Sequence, residues 1–424
     1  MAMNISTPIG AAVVETRRVR QAVFLVGGKG TRLGPLAART PKPLIEIAPG
    51  LRFLDVLLEQ AARHGFTDII LLAGHLGEQV EALYHGRRMH DASVSVVREP
   101  VPAGTGGALL HIADRLDRWF VMGNGDSLFD INLRALAKLD APMAGADEAA
   151  LGRLALREVP DPARYGAVEL SGESIVAFRE KSDAPTGSGV INGGVYLLNR
   201  AILSRLKMPC SIETDVFPAL AQDGRLRGMQ FDGYFLDMGL PETLEGAKRE
   251  IPARLARPAA FLDRDGVLNV EVGYAHRPDD LAWVQGAREA VLRLNEAGHL
   301  VIVLTNQAGV ARGYYSEAQV NAFHALIQDE LAEIGAHVDA FYYCPYHDEA
   351  TVPAYRIANH PDRKPNPGMI YRAFGEWRIQ RERSFLIGDR DSDLETARRA
   401  EIRGYKFDGG DLRDLADIAL AAKT

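Results

Sequence analysis

Cysteine is almost missing from this chain. Among 424 residues only Cys210 and Cys344 occur, far apart, which excludes a disulfide framework and makes a reducing cytoplasm the expectation. Nowhere do ~18 apolar residues run together, so no membrane-crossing helix is expected. There is no basic excess: a formal charge of -7 and a pI near 5.9 exclude a general nucleic-acid binder. Residues 1–20 carry three basic side chains but no apolar core segment, and are read as a flexible tail, not a signal peptide. No internal repeat is found. What remains, 47% hydrophobic and 25% charged residues, is ordinary for a soluble globular protein long enough for two or three cores.

The strongest chemical signal lies past the middle. The apolar run 259–262 reads as a buried strand that ends in Asp263 and Asp265. Carboxylates at i and i+2 just past a strand project into the crevice where open α/β sheets bind ligands. The pair suits Mg²⁺, with Asp263 attacking phosphorus and Asp265 moving the proton. A plain Asp-Gly turn is the competing reading. Three later features, each ending an apolar run or loop, shift the balance. Thr305-Asn306-Gln307 offers a hydroxyl and amides to phosphate oxygens, Arg363-Lys364-Pro365 offers fixed positive charge, and Asp389, followed by Asp391 and Asp393, offers a further carboxylate.

This ordered set resembles the haloacid dehalogenase superfamily of phosphatases, from about residue 258 to the end. The resemblance implies Asp263 as nucleophile and Asp265 as acid/base, with Thr305, Asn306, Arg363 and Lys364 on the phosphate and Asp263, Asp265 and Asp389 on Mg²⁺. No gap between the motifs holds a lid domain, so a capless doubly wound domain over 259–424 is expected. Asp263-Arg264-Asp265-Gly266, Gly273-Tyr274, the 305–313 stretch and Arg363–Gly368 are most similar to the heptose bisphosphate and histidinol phosphate phosphatases. That subfamily usually holds a structural zinc through Cys-x-His and Cys-x-Cys. Here Tyr346 stands at the His position, and His360 and Asp362 stand for the cysteines. Cys344, His347, His360 and Asp362 make only a degenerate site, expected to be free of zinc.

The N-terminal half begins with a buried-strand run, 21–26, that breaks into Gly27-Gly28-Lys29-Gly30-Thr31-Arg32-Leu33-Gly34. Glycines let backbone N–H groups approach an anion, and Lys29 and Arg32 add charge. Leu33 spoils a dinucleotide fingerprint, and no Walker spacing exists. Downstream, Pro41 and Pro43 stiffen the chain around Lys42, which suits clamping a phosphate. Helices over 53–64 and 77–85, strands over 68–72 and 93–97, and a helix from Gly107 to about Arg115 make a βαβ series.

This order resembles the sugar-1-phosphate nucleotidyltransferases over 21–250, with a connector at 251–258. The resemblance implies a Rossmann-like mixed sheet, with Arg32 and Lys42 catalytic. It puts Gly27, Gly28, Gly30, Thr31, Gly104, Thr105 and Gly106 on the nucleotide. A second Mg²⁺ falls to Asp126 and Asp237, and the sugar phosphate to Tyr165, Gly166, Glu180, Lys181, Asn192 and Gly193. The expectation is a bifunctional enzyme of heptose activation using GTP, with no nucleic-acid or membrane partner and with oligomeric state left open. The alternatives are a mannose-1-phosphate guanylyltransferase fused to another phosphatase, and a nucleotide-sugar sensor without turnover.

Overall fold

The strand Gln21–Leu25 (β1) is almost wholly buried, because its apolar residues run without alternation between parallel neighbours. Asp68–Ala73 (β2), Ala92–Arg98 (β3) and Trp119–Asn124 (β4) complete a parallel centre in the order β4-β1-β2-β3. The computed structural model describes residues 18–28, 30, 38–140, 143, 150–162, 167–179 and 187–422, and extends this sheet to ten strands. Beyond β4 the strand Gly189–Asn199 runs antiparallel, so the sheet is mixed, as expected. Helix Phe53–Arg63 buries Phe53, Leu54, Leu57 and Leu58 in the core on one face of it. The Asp55 carboxylate caps that helix through the Arg52 amide at 2.9 Å and also accepts from the Tyr84 hydroxyl at 2.9 Å.

Two local expectations are corrected. The helix from Gly107 to about Arg115 is instead a single turn, Gly104–Gly107, followed by a 3₁₀ helix, Ala108–Ile112. Gly104 stands at φ 77°, where a Cβ would strike the Cys210 carbonyl, so close packing explains this glycine. The helix Pro241–Arg254 runs through part of the expected connector with Pro252 inside it, leaving residues 255–258 as the link.

Five parallel strands form the second sheet: Ala259–Asp263 (β5), Leu300–Asn306 (β6), Ala340–Cys344 (β7), Phe385–Gly388 (β8) and Arg403–Lys406 (β9). Their order is β7-β6-β5-β8-β9, with β5 central. Helices Ala287–Glu296 and Glu317–Ala332 fall where the apolar spacing places them. The chain is thus α/β with two doubly wound units. Among the described residues no further sheet interrupts the second one, and no helix is long and apolar enough to cross a membrane.

Candidate active sites

Strand β5 delivers Asp263 to the C-terminal edge of the second sheet, 7% exposed. Lys364 Nζ lies 2.8 Å from Asp263 Oδ1 and 2.6 Å from Asp393 Oδ1, and donates to the Leu304 carbonyl at 3.1 Å. The Lys364 backbone is fixed in turn by Asn306: the Asn306 amide donates to its carbonyl and accepts from its N–H, each at 3.1 Å. Carboxylate oxygens of Asp263, Asp389 and Asp393 lie within 4.8 Å of one another. Gly266, at φ 89°, lets the turn after β5 close on Asp389, since a Cβ there would strike that carboxylate.

The electrostatics of this cluster call for a cation. Burial pushes the Asp263 carboxyl up to about 7, Lys364 pulling against it and Asp393 adding to it. Burial also raises Asp389, whose Oδ1 is buried with no hydrogen-bond partner. For Lys364 burial opposes the charge, but Asp263 and Asp393 outweigh it and hold the ammonium above its ordinary range. Three carboxylates facing one ammonium, one of them with an unused buried oxygen, fit a hard divalent cation.

Asp265, expected among the metal carboxylates, stands outside this grouping, and Asp393 takes its place. The reason is a ring of donors. Arg264 Nη2 reaches the two Asp265 oxygens at 3.0 and 2.9 Å, Asn269 Nδ2 donates at 3.0 Å, Gln307 Nε2 at 3.1 Å and Thr305 Oγ1 at 3.3 Å. Arg264 is fully buried, its guanidinium 4.8 Å from the Phe323 ring centre. Asp265 is therefore aimed and held two residues from Asp263 by groups that all donate to it. Arg264 and Asn269 were not singled out from sequence, although the first adjoins both aspartates; Gln307, expected on phosphate oxygens, donates instead to Asp265. Arg363 does not join Lys364 in the cluster; its guanidinium donates to the Tyr346 carbonyl at 3.1 Å.

The four zinc-candidate residues are drawn into other contacts. Cys344 Sγ is 3.9 Å from His360 Nδ1, but the His360 ring stacks on Tyr346 with centroids 4.1 Å apart. Asp362 pairs with Arg372 at 3.1 Å, and His347 Nδ1 lies 2.7 Å from Asp348. Burial pushes the Cys344 thiol up to about 11.

In the first unit a cavity of about 660 Å³ opens at the C-terminal ends of β1, β2, β3 and β4. Gly27, Gly28, Lys42, Glu99, Gly104, Thr105 and Asp126 line it. Lys42, on a short turn between Pro41 and Pro43, meets Asp126 at 3.0 Å. The strand Tyr234–Asp237 pairs with Ser127–Asp130, and the Met238 amide donates to the Asp126 carbonyl at 2.9 Å, which brings Asp237 beside Asp126 along the backbone. Thr105 donates to Glu213 at 2.5 Å and accepts from the Ile212 amide at 2.9 Å, so its hydroxyl braces the loop wall. Asn192 donates to the Tyr196 hydroxyl at 3.1 Å, and Gly193 leaves room for the Phe129 ring. Thr31, Arg32, Tyr165, Gly166, Glu180 and Lys181, with Lys29, lie outside the described residues.

Known proteins match both halves. The nucleotidyl transferase family model covers residues 21–254, more than half of the chain, and a HAD-hydrolase-like model covers 362–417. The D-glycero-beta-D-manno-heptose-1,7-bisphosphate 7-phosphatase of Rhodopseudomonas palustris is 47% identical over 156 residues, covering 37% of this chain and 86% of the relative. The chain belongs to two families, as a nucleotidyl transferase joined to a HAD-like phosphatase. A second relative of this fused enzyme, a D-glycero-D-manno-heptose-1,7-bisphosphate 7-phosphatase from Thermosynechococcus vestitus, is 44% identical over 159 residues, 37% of this chain and 81% of that one. Among solved structures, HddC from Yersinia pseudotuberculosis matches 55% of the chain and 100% of its own, at 25% identity and a TM-score of 0.48. The fused enzyme thus carries transferase and phosphomonoesterase activities.

Proposed function

We propose that the fused enzyme removes the 7-phosphate of a D-glycero-D-manno-heptose 1,7-bisphosphate and then transfers GMP from GTP to the freed heptose 1-phosphate. The products are GDP-heptose and pyrophosphate, made in the cytoplasm for cell-surface polysaccharide. The observation that carries this reading is a matched pair of reactions. The second half shares 47% identity with a phosphatase named for leaving a sugar 1-phosphate, and the first half belongs to a family of nucleotidyl transferases.

Mg²⁺, held by Asp263, Asp389 and Asp393 at one site and by Asp126 and Asp237 at the other, would neutralise charge on the phosphoryl oxygens. At the phosphatase site an Asp263 oxygen attacks phosphorus while Asp265 gives its proton to the departing sugar oxygen. Asp265 then takes a proton from water, which attacks the aspartyl phosphate and restores Asp263. Lys364 and Thr305 hold phosphate oxygens. At the transferase site Lys42, with Arg32, positions the triphosphate so that a sugar-phosphate oxygen attacks the α-phosphorus and pyrophosphate leaves.

Glu99 supports GTP as donor. Its half-buried carboxylate lines the cleft, accepts the Ala103 amide at 3.3 Å, and pairs with no lysine or arginine among the described residues. A carboxylate only accepts hydrogen bonds. Guanine alone of the common bases offers two adjacent donors, N1–H and N2–H, on its pairing edge. We expect Glu99→Gln to lower kcat/KM for GTP by on the order of 10²-fold relative to UTP or ATP; an unchanged donor preference would remove this assignment. The whole reading is tested by incubating the protein with heptose bisphosphate, GTP and Mg²⁺ and weighing the products. GDP-heptose is expected, whereas no GDP-heptose with rapid use of mannose 1-phosphate would replace heptose with mannose.

A further inference from the structure

The two halves meet through one edge of each sheet, and it is the same edge in both. From the first unit come Arg18 and Arg20, just before β1, His64 before β2, and His90 before β3. From the second come Arg257 before β5, Gly335, His337 and Asp339 before β7, and Trp377 before β8. Arg18 and Arg20 reach Asp329 at 3.0 and 3.4 Å, and Arg63 reaches Asp339 at 3.3 Å. Arg257 grips Asp130, and the Asn132 side chain donates to the Gly335 carbonyl at 2.9 Å. His64 lies against His337 with ring centroids 4.4 Å apart, and His90 stacks on Trp377 at 4.1 Å. All of these lie at the N-terminal ends of the parallel strands or on the helices and loops beside them, whereas both candidate sites lie at the C-terminal ends.

The catalytic centres therefore face in opposite directions. Two five-residue strands laid end to end, β1 and β5, already span roughly 30 Å. Swinging the sites together would break the Arg63–Asp339 pair, whose side chains are 11% and 0% exposed. Stranding such charges without partners is strongly unfavourable. Resting on the proposed pair of reactions, we infer that the sugar 1-phosphate released by the phosphatase escapes into bulk solvent and reaches the transferase cleft by diffusion. The chain thereby keeps two active sites at equal number without passing the intermediate between them.

Isotope dilution tests this. Each half is first assayed alone, Asp126→Ala for phosphate release and Asp263→Asn for nucleotidyl transfer; failure of either arm strikes the proposed function. With both working, the wild-type chain receives labelled bisphosphate, GTP and excess unlabelled sugar 1-phosphate. Label in the nucleotide sugar should fall to the ratio of the mixed pool, and an equimolar mixture of the two variants should match the wild-type rate at equal site concentration. Label retained several-fold above the pool ratio overturns the inference. A second measurement does not depend on the sugar: spin labels at Val101→Cys and Val272→Cys, positions 56% and 52% exposed, report the separation of the two mouths. A distance beyond roughly 30 Å with and without GTP and Mg²⁺ is expected, and a short-distance population appearing with ligands overturns it.

Discussion

The two active sites of one chain are built on opposite plans. In the phosphatase unit the clustered polar groups are buried or half-buried and pinned. Asp263 is 7% exposed, Lys364 6%, and Asp265 has four different side chains donating to it. In the transferase unit the cleft is wide, Asp126 keeps 38% of its side chain exposed, and the walls are glycines and braced loops. Covalent attack by a carboxylate calls for a dry, preorganised pocket of fixed dipoles. A site that admits a whole nucleotide and a sugar phosphate must instead be open, and its ligands complete the electrostatics.

The largest effect should come from removing one reacting carboxylate from each plan. Asp263→Asn is expected to cut phosphate release by on the order of 10³-fold or more while nucleotidyl transfer continues, and Asp126→Ala to do the reverse. Loss of both activities from either change in a folded protein would erase the contrast, since it would mean one shared site. Next in size is the interface. Burial opposes the Asp339 charge, yet Arg63 at 3.3 Å and the Val301 amide at 2.8 Å help hold its carboxyl below its ordinary range, whereas burial disfavours the charged form of the neighbouring His337; Asp339→Asn should therefore lower stability by about 3–5 kcal/mol. Thermal-inactivation assays should show the two activities lost together as temperature rises; loss of only one would show that the units are held independently.

Smaller effects sharpen the picture. Burial lowers the His299 imidazole to about 4, so the folded state resists protonation that the unfolded chain accepts near 6.5. Its contribution is present above that unfolded value and is lost as pH falls from about 6.5 toward 4, by up to about 3 kcal/mol. Denaturation curves of wild type and His299→Gln should converge over that window, and a constant gap would rule it out. The smallest expected change is none: phosphatase activity in Mg²⁺ should survive a zinc-selective chelator, because Cys344, His360 and Asp362 are engaged with one another, with Tyr346 and with Arg372. Elemental analysis finding about one tightly bound zinc per chain would contradict this.

By itself the sequence determined most of the alternation of strands and helices, the strand-end positions of Asp263 and Thr305, and the proline-stiffened setting of Lys42. These are local matters, in which an apolar run sets a buried strand and the residue that ends it points into the crevice. It could not decide which carboxylates meet. Asp265 lies two residues from Asp263 yet turns to Arg264, while Asp393 lies 130 residues away and joins it. Nor could the glycine loops be sorted from sequence: Gly104 is required by the Cys210 carbonyl, a contact across more than a hundred residues. The docking of the two sheets through their rear edges was equally illegible, because the salt bridges that set it join positions such as Arg63 and Asp339, 276 residues apart. Spacing along a chain encodes what one strand and its turn will do. Which charges end up sharing a low-dielectric space is settled only when distant segments pack, since the cost of leaving a buried charge unpaired acts through space and not along the backbone.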